Sequence, residues 1–153
     1  MLVLGIDPGF TGAIALYDPS TTHVTIGDMP LGKTPTGKSI IDYISLFEML
    51  KPDQPVRAVL EFVAARPGQG APATFRFGQG YGALEMALAA HRIPTQKVTP
   101  AKWKKHFGLS KDKGISRSYA TERFPQYAES FKRVKDDGRA EAVLIALYGA
   151  EAL

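Results

Sequence analysis

The sequence predicts an α/β fold: a five-stranded mixed sheet, its first three strands antiparallel, with helices on both faces. Three observations carry that expectation. The first thirty residues hold three apolar, strand-like segments joined by short turns. From residue 39 onward, helix-like and strand-like segments alternate towards the C-terminus. No repeat, low-complexity tract or linker interrupts the chain, and 153 residues suffice for a single domain over 1–153 with a sizeable core.

Taken in order, strands are expected at 2–7, 12–17 and 23–28, joined by Asp7-Pro8-Gly9 and Asp18-Pro19-Ser20 turns. Connections this short imply antiparallel neighbours. Residues 32–37 read as a polar loop. Ile40, Ile41, Ile44, Phe47 and Leu50 recur at helical spacing, so a helix is expected over 39–50, ended by Pro52. Residues 56–62 form a fourth strand, and a Gly/Pro-rich loop follows at 66–72. A long helix is expected from about residue 74 to 91, then a short strand at 95–98. Helical pieces follow at 101–107 and 113–124, and a last helix runs from residue 137 to the end.

Composition narrows the chemistry. The 44% hydrophobic and 22% charged residues are ordinary for a globular chain. With no cysteine there is no thiolate nucleophile, disulfide framework or zinc–thiolate site. No apolar run approaches the roughly 20 residues needed to span a bilayer. No signal-peptide pattern opens the chain, so a cytoplasmic location without membrane contact is expected. The net charge of +4 conceals an asymmetry: residues 91–135 carry twelve Lys/Arg against three acids, the remainder seven against twelve. A basic third on an otherwise acidic chain points to a polyanionic partner, or else to a solvated helical face.

Three carboxylate positions stand out. Asp7 ends an apolar strand, although Asp-Pro-Gly is also a good turn in its own right. Glu61 interrupts the apolar run Ala58-Val59-Leu60 and Phe62-Val63, where a buried acid is costly unless paired or metal-bound. In Lys135–Gly149, Asp137 and Glu141 stand four positions apart, about 40° around a helix, on the face of Leu144, Ile145 and Tyr148. Asp136 lies about 140° from Glu141, placed to cap the helix or meet solvent. Each acid has a structural explanation, yet three or four of them at the mouth of a sheet hold hard divalent cations. Two Mg²⁺ ions about 4 Å apart activate water and stabilise the leaving oxygen of a phosphodiester. Trp103, amid Lys102, Lys104 and Lys105, either packs its helix onto the body or stacks on a base.

With these residues in place, the chain resembles the RuvC family of Holliday junction resolvases, within the ribonuclease H-like superfamily, and in particular its short phage-type members. The carriers are GIDPG at 5–9, LEFV at 60–63, FGQGYGALEMAL at 77–88 and DDGRAEAVLIA at 136–146. VTPAKWKK at 98–105 and SKDKGISRSYATERFP at 110–125 extend the match over nearly the whole chain. The resemblance implies a ribonuclease H-like fold and a crossover junction endonuclease of DNA recombination and repair. Its catalytic metal ligands would be Asp7, Glu61, Asp137 and Glu141, holding two Mg²⁺ ions, or Mn²⁺ in their place. Lys111 and Lys113 resemble the family's basic residues on the cleaved strand, and Lys102, Lys104, Lys105 and Arg117 complete the expected DNA-binding set. The implied partner is branched DNA, above all the four-way junction, cut by paired nicks across a homodimer. The helix at 74–91 is the expected dimer contact, because Ala83, Leu84, Met86, Ala87, Leu88 and Ala90 leave it few polar sides. The location would be bacterial cytoplasm, or that of the host for a phage protein.

Two features depart from the family pattern. Three residues separate the final acids where cellular members have two, and Ala64, Ala65 and Arg66 stand where those members carry an aromatic wedge. A flap- or fork-cutting nuclease of broad specificity is the alternative within this class. Outside it stand a non-catalytic branched-DNA binder, which would gain by losing buried negative charge, and an actin-like sugar kinase. The kinase needs a second phosphate loop that residues 20–135 do not supply.

Overall fold

In the computed structural model, which describes residues 1–153 apart from the Lys113 side chain, the first three strands form the expected meander. These are β1 (Leu2–Asp7), β2 (Ala13–Asp18) and β3 (His23–Asp28), paired antiparallel. The chain then makes a small separate hairpin, β4 (Leu31–Lys33) with β5 (Ser39–Ile41). Helix α1 (Tyr43–Met49) leads to β6 (Val56–Glu61), which lies parallel beside β1. Helix α2 (Ala71–Ala90) leads to β7 (Thr95–Val98), parallel to β6. The sheet order is therefore β3-β2-β1-β6-β7. Helices α3 (Pro100–His106) and α4 (Lys113–Arg123), two 3₁₀ turns (Pro125–Phe131 and Val134–Asp136) and α5 (Asp137–Ala152) complete the chain.

The expected five-stranded mixed sheet is present, and the hairpin corrects the reading of residues 31–41. Ile40 and Ile41 belong to β5, not to a helix. Asp42 caps α1 instead, its side chain accepting from the Ser45 amide at 3.2 Å and the Ser45 hydroxyl at 2.9 Å. An acid that satisfies exposed amides at the helix start sets the boundary there.

Strand alternation divides the core into two layers. Val3 and Val59 face α5, in a cluster with Trp103, Phe131, Val143 and Leu144. Leu4, Ile6, Ala58 and Leu60 face the other way, onto Leu46 of α1 and Leu84 and Leu88 of α2. Helix α5 is buried at Gly138 and from Ala140 to Gly149, and lies directly on β1 and β2. That approach needs glycine at two points. A Cβ on Gly5 would fall on the backbone of Ala142 and Ala146, and one on Gly138 on the backbone of Thr11 and Gly12. The start of α5 is thus pressed onto the β1–β2 turn, beside the C-terminal ends of β1 and β6.

Candidate metal centre

Asp7 has the parity of Val3 and Gly5, and Glu61 that of Val59, so both acids project from the α5 side of the sheet. The parallel register pairs Ile6 with Leu60, and one further step sets Asp7 beside Glu61. From above, α5 contributes Glu141. The three carboxylates bring an oxygen each to within 4.8 Å of one another. Glu61 is 6% exposed and Glu141 4%, with Asp7 half-buried. They line a cleft of about 540 Å³ whose other walls include Gly9, Thr11, Arg66, Gln69, Phe77 and Lys104. The Asp-Pro-Gly turn does act as a turn: Asp7 Oδ1 accepts from the Gly9 amide at 3.4 Å, and Gly12 N donates to Gly9 O at 2.9 Å.

Helix α3 holds two of these acids with adjacent side chains. Trp103 Nε1 donates to Glu61 Oε1 at 2.8 Å, and Lys104 Nζ lies 3.1 Å from Glu141 Oε1. The Glu61 carboxyl is pushed up to about 7, chiefly by burial. The Trp103 bond pulls it down, the charges of Asp7 and Glu141 push it up further, and Lys104 offsets them in part. The donor set is all carboxylate oxygen, which fits a hard divalent cation such as Mg²⁺ or Mn²⁺.

The other two acids near the start of α5 have different partners. Asp137 is not in the cluster among the described residues; Arg117 Nε of α4 donates to its Oδ1 at 2.7 Å. Asp136 does leave the Glu141 face, but it neither meets solvent nor caps α5 with its side chain. It is 1% exposed, accepts from the Arg133 amide at 2.9 Å and from the Arg133 guanidinium, and lies 3.7 Å from Arg139 Nη1. The Arg133 bonds hold its carboxyl below the usual range. Arg139 in turn grips Asp28 of β3 through two bonds of 2.7 Å, tying the sheet edge to the helix start.

The basic third divides the same way. Lys102, Lys105 and Lys111 are exposed, whereas Lys104 and Arg117 lie against Glu141 and Asp137. The Lys113 side chain falls outside what the structure describes. Lys97, Arg123 and Arg133 pair with Glu85, Glu151 and Asp136, so much of the local positive charge has an internal partner. Trp103 has a polar partner that sequence reasoning missed. A lone tryptophan next to a lysine on a short helix was the available signal, and burial of its ring hides a directed N–H.

No protein-family model matches the chain, and no curated protein matches it in sequence. Solved structures do match. T. thermophilus RuvC in complex with a Holliday junction substrate aligns with a TM-score of 0.67 at 16% identity, over 99% of this chain and 96% of that one. A second Thermus thermophilus RuvC structure gives 0.64 at 16% identity, over 98% and 96%. The yeast mitochondrial Holliday junction resolvase Ydc2 gives 0.57 at 16% identity, over 94% of this chain and 75% of that one. No helix among the described residues is long and apolar enough to cross a membrane. Across nearly its whole length this chain has the fold of RuvC, a ribonuclease H-like mixed sheet, and three carboxylates meet at the ends of its central strands.

Proposed function

We propose that this protein is a divalent-metal-dependent endonuclease of branched DNA that cuts four-way junctions by paired nicks. The observation that carries the reading is the convergence of Asp7, Glu61 and Glu141, from two parallel strands and a crossing helix, within 4.8 Å in one cleft. Three carboxylates that each bring an oxygen into one cleft make an all-oxygen ligand set suited to a hard divalent cation. The likeness to RuvC bound to a Holliday junction agrees with this choice of substrate.

Asp7, Glu61 and Glu141 would hold the metal, with Asp137, one turn earlier on α5, as the fourth carboxylate once Arg117 releases it. Two Mg²⁺ ions there would supply an activated water and charge stabilisation of the leaving oxygen. The chain's own residues bind and orient. Lys102, Lys105, Lys111 and Lys113 take backbone phosphates. Lys104, at the cleft wall, turns from Glu141 to the phosphate beside the scissile bond. Arg117 does the same when Asp137 is engaged. Paired cuts need two active sites, and the exposed side of α2 fits a second copy of the chain. Phe75 is 68% and Met86 65% exposed, on one side with Gly82, while Leu84 and Leu88 face the core.

The test is to incubate the protein and Mg²⁺ with labelled junction, fork, flap and duplex DNA, map the cuts, and measure the mass on DNA by sedimentation. Symmetric nicks across the junction by a dimer are expected, with Asp7→Asn binding but not cutting. Equal cutting of flaps and forks would make it a broad branched-DNA nuclease, and binding with no cutting a binder only. Cleavage that persists in excess EDTA would overturn the metal reading.

A further inference from the structure

Glu61 ends a strand, and its long side chain must stay beside two other acids whose charges repel it. Something has to hold it there. Trp103 is the chain's one tryptophan, fully buried, with its N–H on Glu61 Oε1 at 2.8 Å. We propose that Trp103 is the positioning residue of the metal centre, fixing the Glu61 carboxylate so that its remaining lone pairs serve the cation. The inference rests on the metal-centre reading above.

The local fold makes the indole a fixed donor. The β6–β7 register pairs Glu61 with Val98, and the Phe62 amide donates to Val98 O at 2.7 Å, so the end of β7 is locked beside the acid. Helix α3 begins at once: Thr99 caps it, accepting from the Lys102 amide at 3.3 Å, and Pro100 opens the first turn. Trp103 therefore reaches Glu61 over a short, capped path. Its ring is fully buried in the same core cluster as Val98, Phe131 and Tyr148.

The chemistry separates Trp103 from its neighbour. An indole N–H donates one hydrogen bond and accepts none. It is neutral, so an arriving cation does not repel it and the bond survives metal binding. Lys104 on Glu141 is a charge that the metal must displace. The two α3 residues thus have opposite fates at the same site: one bond orients a ligand permanently, the other covers a ligand until it is needed. Hydrogen bonds of this outer kind commonly change metal affinity 10- to 100-fold.

The experiment is Mn²⁺ titration of the full protein by calorimetry, without DNA, for the wild type, Trp103→Phe, Glu61→Gln and the double variant. Trp103→Phe keeps an aromatic ring and removes the N–H. It is expected to weaken Mn²⁺ binding about 10-fold or more. Adding it to Glu61→Gln should weaken binding no further, because the anionic ligand that the bond positions is already gone. In cleavage, the half-saturating Mg²⁺ concentration should rise, with kcat at saturating Mg²⁺ nearly kept. Should the phenylalanine variant fail to fold, benzothienylalanine at position 103 preserves the fused ring, replaces N–H by sulfur, and should show the same loss. Wild-type Mn²⁺ affinity in either variant overturns the positioning role alone. A wild-type protein that binds no Mn²⁺ overturns the metal centre and this role with it.

Discussion

In the absence of metal, Glu61→Gln should make the protein more stable at pH 8 and leave it nearly unchanged at pH 4.5. The Glu61 carboxyl titrates near 7 in the folded protein, against 4.5 for an ordinary glutamate. A raised pKa means the folded state holds its proton more tightly than the unfolded one. The stability this proton contributes is complete below about pH 4.5 and is lost as the pH rises through 7. At 1.36 kcal/mol per unit, the loss from pH 4.5 to 8 comes to about 3 kcal/mol, an order-of-magnitude figure. Glutamine is neutral throughout, keeps an oxygen for Trp103 and escapes that loss. Urea unfolding in excess EDTA at pH 4.5 and 8 reads the difference directly, and at this chain length about 3 kcal/mol is a midpoint shift of roughly 10 °C on heating. Saturating Mg²⁺ at pH 8 should reverse the order, stabilising the wild type but not the variant. A wild-type–variant gap that is the same at pH 4.5 and 8 in EDTA would refute the reasoning, because burial of Glu61 would then carry no protonation cost.

Asp137→Asn should slow cleavage at least 100-fold while Arg117→Ala slows it less; equal, non-additive losses in single-turnover assays would reduce Asp137 to an ion-pair partner of Arg117. Asp136→Asn should retain cleavage but lose about 2 kcal/mol of stability, since it removes a charged acceptor from Arg133 and Arg139. The Asp136 carboxyl is held below its ordinary 3.8, so this stability is present above that pH and lost in stronger acid; urea midpoints at pH 7 and pH 2.5 should show the penalty shrinking. Replacing Lys102, Lys105 and Lys111 together by alanine should make the slope of log affinity against log salt shallower by about three, and an unchanged slope would return these lysines to mere solvation.

The sequence alone determined the elements whose signals are local. Short continuous apolar runs and Asp-Pro-Gly placed β1 and β2, and the acid breaking an apolar run marked Glu61 before any neighbour was known. The spacing of Glu141 with Leu144, Ile145 and Tyr148 aimed it at the sheet. The Ile40-Ile41 pair suits a strand and a helix equally, and only pairing with Leu31–Lys33 decided for the strand. Partners depend on contacts between segments far apart in the chain, and these the tertiary structure decided. The parallel register of β1 and β6 brings together Asp7 and Glu61, 54 residues apart in sequence. Residues 136, 137 and 141 are all acids on one stretch of chain, yet α4 supplies Arg117 to the second, the preceding turn supplies Arg133 to the first, and α3 supplies Lys104 to the third. Helix geometry fixes the direction in which each carboxylate leaves the axis; which cation waits there follows from how α3 and α4 pack, and no periodicity in the sequence encodes that.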